Sequence, residues 1–216
     1  MQRTRIKFCG MTRLSDALAA AELGVDAIGV VLVPSSRRCI PLAIVAQMRT
    51  ALPPMVSLVG LFQDAAAETV RAALAQVRFD LLQFHGDEPA DYCAQFGVPY
   101  LRAIAMGDSP DLHQCANTFA QASALLLDSH SRASSGGSGQ RFVWSSVPQS
   151  LSCKVILAGG LTPQNVAEGI AIVQPWAVDV SSGIESAPGV KDLHKMRAFV
   201  LEVSDSDVKR TSQRSI

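Results

Sequence analysis

The chain has 216 residues, 48% of them hydrophobic, and its 19 basic and 19 acidic side chains balance. That length and apolar content suit one domain with a large core. The missing basic stripe excludes the electrostatic footprint of a nucleic-acid or membrane-surface binder. The longest apolar stretches, such as 27–33, fall far short of the roughly 20 residues of a spanning helix. Met1-Gln-Arg-Thr-Arg-Ile-Lys has no apolar centre of a signal peptide, so a cytoplasmic protein with a small-molecule partner is expected. Five cysteines (Cys9, Cys39, Cys93, Cys115, Cys153) are scattered without Cys-x-x-Cys spacing. That argues against disulfides and against a zinc site, and it leaves any cysteine chemistry to a single thiol.

In chain order, short β-branched or aliphatic runs predict eight strands at 5–10, 26–33, 55–62, 81–85, 100–106, 124–128, 154–159 and 177–181. Between them, helical apolar spacing predicts helices at 14–23, 42–52, 65–75, 89–96, 111–120, 163–173 and 192–203. Alternating βα units imply a parallel sheet covered by helices, and eight of them in one domain point to a single (βα)8 TIM barrel over residues 1–203. The alternative is an open doubly wound sheet. Its Gly-x-Gly-x-x-Gly turn is missing after the first strand, where Cys9-Gly-Met-Thr-Arg13 stands instead. Two segments break the rhythm. His130-Ser-Arg-Ala-Ser-Ser-Gly-Gly-Ser-Gly139 reads as a long polar loop serving a site, and 204–216 reads as a disordered polar tail.

Barrel sites are built at the C-terminal ends of the strands, so polar residues that end apolar strands are the candidates. Period-two alternation puts Ala124, Leu126 and Asp128 on one face, with Asp128 at the mouth. The same rule puts Arg5, Lys7 and Cys9 on one face, with Ile6 and Phe8 toward the helices. On these grounds alone Asp128 can equally be a turn cap and Cys9 a small buried hydrophobe. Leu157-Ala-Gly-Gly-Leu-Thr-Pro163 leads into a helix, with Thr162 as its N-cap and Pro163 at its first position. Val178-Asp-Val-Ser-Ser-Gly183 ends the last strand in small residues. Gly159, Gly160, Ser181, Ser182 and Gly183 therefore suit the phosphate site that barrels form after strands seven and eight, with Gly137 and Gly139 closing over the same anion. The substrate is then a phosphate ester. Arg38 has a planar fork suited to a carboxylate, or is an ordinary surface arginine. His85 is an auxiliary polar group or a structural histidine.

The segments Arg5-Ile-Lys-Phe-Cys-Gly-Met-Thr-Arg13, Ser36-Arg-Arg-Cys-Ile40, Leu82-Gln-Phe-His-Gly86, Leu126-Leu-Asp-Ser129 and Gly136-Gly-Ser-Gly139 with Phe142 and Trp144 occur in that order. They continue with Leu157-Ala-Gly-Gly-Leu161, Val178-Asp-Val-Ser-Ser-Gly-Ile-Glu185 and Pro188-Gly-Val-Lys-Asp192. Together they resemble the phosphoribosylanthranilate isomerase family over nearly the whole chain. Ser36-Arg37-Arg38 departs from that family's usual Ser-Pro-Arg.

The resemblance implies the Amadori rearrangement of N-(5'-phosphoribosyl)anthranilate to 1-(o-carboxyphenylamino)-1-deoxyribulose 5-phosphate in tryptophan biosynthesis, with no cofactor and no metal, by a monomer or homodimer. It implies Asp128 as general acid, Cys9 as general base and Arg38 as the grip on the anthranilate carboxylate. Aspartate and cysteine start near 4 and 8.5, so each needs help toward its working form. Apolar neighbours such as Leu126 are expected to raise Asp128, and positive charge to favour the Cys9 thiolate. Lys7, about 7 Å deeper on the same face by strand rise, either supplies that charge or is neutralised by an inward acid such as Asp179. The rival enzymes are other sugar-phosphate barrels, indole-glycerol-phosphate synthase or an aminoimidazole ribonucleotide isomerase. The rival of another class is a catalytically silent barrel acting as a scaffold.

Overall fold

The computed structural model describes residues 3–130 and 141–213. Eight parallel strands pair in chain order: β1 (Arg5–Phe8), β2 (Ala27–Val31), β3 (Ser57–Phe62), β4 (Leu81–Phe84), β5 (Tyr100–Ala105), β6 (Ala124–Asp128), β7 (Val155–Leu157) and β8 (Ala177–Val180). The barrel closes where β8 pairs with β1, which opposes Lys7 to Asp179. The expected TIM barrel is therefore the architecture, and the open sheet is not. Strand alternation divides the core as the pattern requires. Val59, Leu101, Ala124, Leu126, Ile156 and Ala177 fill the barrel, while Ile6, Phe8, Leu125, Leu127 and Val178 meet the helices.

Helices α1 (Leu14–Glu22), α2 (Leu42–Ala51), α3 (Ala67–Gln76), α4 (Ala90–Ala94), α5 (Leu112–Thr118), α6 (Val166–Val173) and α7 (Leu193–Gln213) cover the strands. Between β6 and β7 the described residues hold a 3-10 turn, Trp144–Ser146. Among the described residues, no helix is long and apolar enough to cross a membrane. Packing locks the last helix to the first strand, with Phe8 and Phe199 fully buried and edge to face, centroids 5.8 Å apart. Burial of each such ring contributes about 1.5–3 kcal/mol.

Two expectations are corrected. The stretch after 203 is not a disordered tail as far as it is described, because α7 continues to Gln213. Asp207 accepts hydrogen bonds from the Thr4 backbone N–H at 2.6 Å and from Thr4 Oγ1 at 2.8 Å, which fixes that helix to the bottom of β1. Nor does α6 start at Pro163 under a Thr162 cap. Asn165 accepts from the Thr162 N–H at 2.8 Å and donates to the Gly160 carbonyl at 2.9 Å, holding a turn that delays the helix to Val166.

Candidate active site

The C-terminal ends of the strands surround a cavity of about 770 Å³. Cys9, Arg38, His85, Asp128, Gly159, Gly160, Asp179, Ser181 and Ser182 all line it. Strand-end positions converge because each strand delivers its last inward side chain to the same mouth. Gly183 is not in the lining. A Cβ there would lie 1.9 Å from the Leu161 carbonyl oxygen, so this glycine lets the loops after β7 and β8 pack against each other. Gly137 and Gly139 lie outside the described residues.

Cys9 is buried beside Val31, Val33 and Leu61 at the top of the barrel. Gly29 on the neighbouring strand makes room for it. A Cβ at that position would stand 2.8 Å from Cys9 Sγ and 3.1 Å from Lys7 Nζ. Lys7 is paired with Asp179, Nζ to Oδ1 2.9 Å, and both side chains are nearly inaccessible. Burial works against the Lys7 charge, but Asp179 and Cys9 outweigh it and hold the ammonium above its ordinary pKa. For the Cys9 thiol the balance goes the other way. Burial pushes it up, and the pull of Lys7 and Lys191 does not compensate, so proximity of a cation does not by itself yield the expected thiolate.

The expected rise at Asp128 is also corrected. Burial favours its neutral form, yet His130 and His85 outweigh burial and hold the carboxyl below its ordinary range. The His130 backbone N–H donates to Asp128 Oδ1 at 3.2 Å. The His130 and His85 rings stack with centroids 4.5 Å apart, and His85 Nε2 lies 3.8 Å from Asp128 Oδ2. Burial lowers the His85 pKa to about 4, so the ring is neutral at pH 7. On the far side of the ring, Gln83 Nε2 lies 3.2 Å from Nδ1. At neutral pH, then, Asp128 is ionised and Cys9 is protonated.

Arg38 is neither free nor an ordinary surface arginine. Its Nε and Nη2 donate to the two Glu185 oxygens, each at 2.8 Å. Among the described residues Nη1 has no such bond, which leaves the Nη1–Nη2 edge of the fork for a second carboxylate. Glu185 opens a two-stranded hairpin, β9 (Glu185–Ala187) and β10 (Val190–Lys191), in which it faces Lys191. Lys191 Nζ is wholly buried and donates to Glu185 Oε1 (2.8 Å), the Cys9 carbonyl (2.6 Å) and the Ser181 carbonyl (3.1 Å). One ammonium thus joins the first strand end, the last strand end and the holder of Arg38.

A family model described as N-(5'phosphoribosyl)anthranilate (PRA) isomerase matches residues 6–202 of this chain. The chain belongs to the phosphoribosylanthranilate isomerase family. A relative from Stenotrophomonas maltophilia, N-(5'-phosphoribosyl)anthranilate isomerase, is 48% identical over 209 residues, 95% of each chain. The solved phosphoribosyl anthranilate isomerase of Thermotoga maritima superposes with a TM-score of 0.85 at 32% identity, covering 94% of this chain and 99% of the other. Another solved family structure, described as a complex with reduced 1-(o-carboxyphenylamino)-1-deoxyribulose 5-phosphate, gives 0.80 at 31%, with coverage of 94% and 99%. The chain is thus an aldose-ketose isomerase of tryptophan biosynthesis, carrying out the Amadori step.

Within this phosphoribosylanthranilate isomerase site, sequence reasoning missed Glu185, Lys191, Gln83 and His130. Gln83 had a readable signal, since it shares the inward period-two face with Leu81 and His85. His130 stands two residues after the proposed acid. Glu185 and Lys191 look like surface charges until a hairpin pairs them.

Proposed function

We propose that Asp128 is the general acid and Cys9 the general base of this isomerase, that Arg38 grips the substrate's carboxylate, and that Gly159, Gly160, Ser181 and Ser182 cradle its phosphate. Asp128 gives a proton to the furanose ring oxygen as the anilino nitrogen pushes the ring open to an iminium. Cys9 then takes the proton from C2', and the electron pair left behind forms the enolamine, which tautomerises to the ketone. This division of labour is supported by one observation: a thiol at the end of β1 and a carboxyl at the end of β6 open into one cavity with the two glycine- and serine-rich turns.

The resting protonation is the reverse of the working one, and substrate supplies the correction. With ordinary values near 3.9 and 8.5, an acid and base of these types coexist in working form in only about one molecule in 10⁴–10⁵. Burial at Cys9 and the histidines at Asp128 lower that further. A bound phosphate and a bound carboxylate bring negative charge toward Asp128 and displace water, which favours its neutral form. Lys7 and Lys191 remain to stabilise the thiolate. Freshly formed N-(5'-phosphoribosyl)anthranilate loses its fluorescence as it is converted. Loss with no cofactor added is the expected result, and no loss above the spontaneous rate would refute the reading.

A further inference from the structure

We infer that His85 and Asp128, which line the cavity, form with His130 beside them a second kind of site in its wall: a binding site for one borderline divalent transition ion, such as Zn²⁺, that blocks the isomerase by taking Asp128. The inference rests on the reading of Asp128 as the acid for its effect on turnover, but not for binding. One nitrogen from each histidine and one carboxylate oxygen all lie within 4.8 Å of one another. His130 Nδ1 is 3.4 Å and His85 Nε2 3.8 Å from the two Asp128 oxygens. Ligands about 2.0–2.1 Å from a tetrahedral ion stand roughly 3.3 Å apart. Closing the set therefore takes up to about 1.5 Å of side-chain movement across its widest edge. Two histidines and one carboxylate on one side of an ion, with remaining positions open to a cavity, is a common donor set for zinc and for neighbouring divalent metals.

Two independent features point to a ligand. His130 Nδ1 is buried, with the side chain 10% exposed, and makes no hydrogen bond among the described residues despite facing Asp128. Gln83 is 1% exposed, and its Oε1 is likewise without a partner. Gln83 Nε2 faces His85 Nδ1 at 3.2 Å, and donation of that amide N–H goes with a ring proton on Nε2. Turning that amide over would satisfy Oε1 with a proton on Nδ1 and free the Nε2 lone pair toward Asp128. This is the outer-shell hydrogen bond that orients metal-binding imidazoles.

Co²⁺ titrated into the purified protein tests this. Expected are visible d–d bands saturating at one ion per chain, without a thiolate-to-cobalt band, and displaced by Zn²⁺. His85→Ala and His130→Ala should each abolish the bands, Gln83→Leu should weaken binding about 10–100-fold, and Cys39→Ser should leave it unchanged. Zn²⁺ inhibition of the wild-type enzyme should be competitive with phosphoribosylanthranilate and reversed by chelator. Missing bands, a thiolate-to-cobalt band, or bands that survive His130→Ala would overturn the site. Because the titration contains no substrate, its failure leaves the acid-base assignment standing, and loss of that assignment leaves the binding result standing.

Discussion

Replacing Lys7 by Met removes one charge from the floor of the site and has two consequences of calculable size. Lys7 and Asp179 are 4% and 8% exposed and 2.9 Å apart. Deleting one member of such a buried pair costs about 3–5 kcal/mol, because the other charge is left without a counter-ion. For a domain of this size that lowers Tm by roughly 6–20 °C. The double variant Lys7→Met/Asp179→Leu should recover most of the loss. The second consequence falls on Cys9. Lys7 Nζ and Cys9 Sγ both lie close to the space above Gly29. A unit charge at about 6 Å with an effective dielectric constant near 20 contributes roughly 3 kcal/mol, about a hundredfold in thiolate population. Iodoacetamide labelling followed by mass spectrometry of the Cys9 peptide, across pH, reads this directly. The single variant should label at least tenfold more slowly at neutral pH, and the double variant should fall between it and wild type, since Asp179 opposes the thiolate. An unchanged labelling rate in Lys7→Met would refute the argument that Lys7 tunes Cys9.

Other outcomes follow from the same geometry. Arg38→Met should raise KM more than it lowers kcat, if the fork mainly holds the ground-state carboxylate. Glu185→Gln should shift KM in the same direction by a smaller factor because Arg38 loses its anchor, and an unaltered KM in both would remove them from substrate binding. Gly183→Ala drives a Cβ against the Leu161 carbonyl, so KM for the phosphorylated substrate should rise while the stability of the barrel strands changes little. A wild-type KM would show that the two turns need not pack so closely. His85 titrates near 4 in the folded protein against 6.5 otherwise. The unfolded chain therefore binds the extra proton first, and stability present above pH 6.5 is lost as pH falls toward 4, by roughly 3 kcal/mol. Urea unfolding in the presence of a chelator should show that slope reduced in His85→Gln, and an equal slope in both proteins would rule His85 out as its source.

The barrel was legible because its strands alternate cleanly: Ile6 and Phe8 outward, Lys7 and Cys9 inward, and the same for Leu125 and Leu127 against Ala124 and Leu126. Strand ends and glycine turns then located most of the cavity lining. Less legible was whatever depends on contacts between distant residues. Thr4 and Asp207 are 203 positions apart, and nothing local in the polar last stretch says that it is pinned as a helix. Glu185 reaches Arg38 across 147 positions, so the fork's second partner could not be read from the second loop. The protonation of the pair was misjudged for a related reason. Leu126 and Lys7 are visible from strand period, but the two rings beside Asp128 and the depth of Cys9 follow only from closure of the barrel.

The central claim is that Cys9 and Asp128 divide the proton transfers between them. Steady-state turnover of phosphoribosylanthranilate by Cys9→Ala and by Asp128→Asn, each checked for native circular dichroism and unfolding midpoint, tests it most directly. Two folded proteins whose kcat falls by about 10²–10⁴-fold are the expected result. Near-wild-type kcat in either folded variant would contradict the role assigned to that residue.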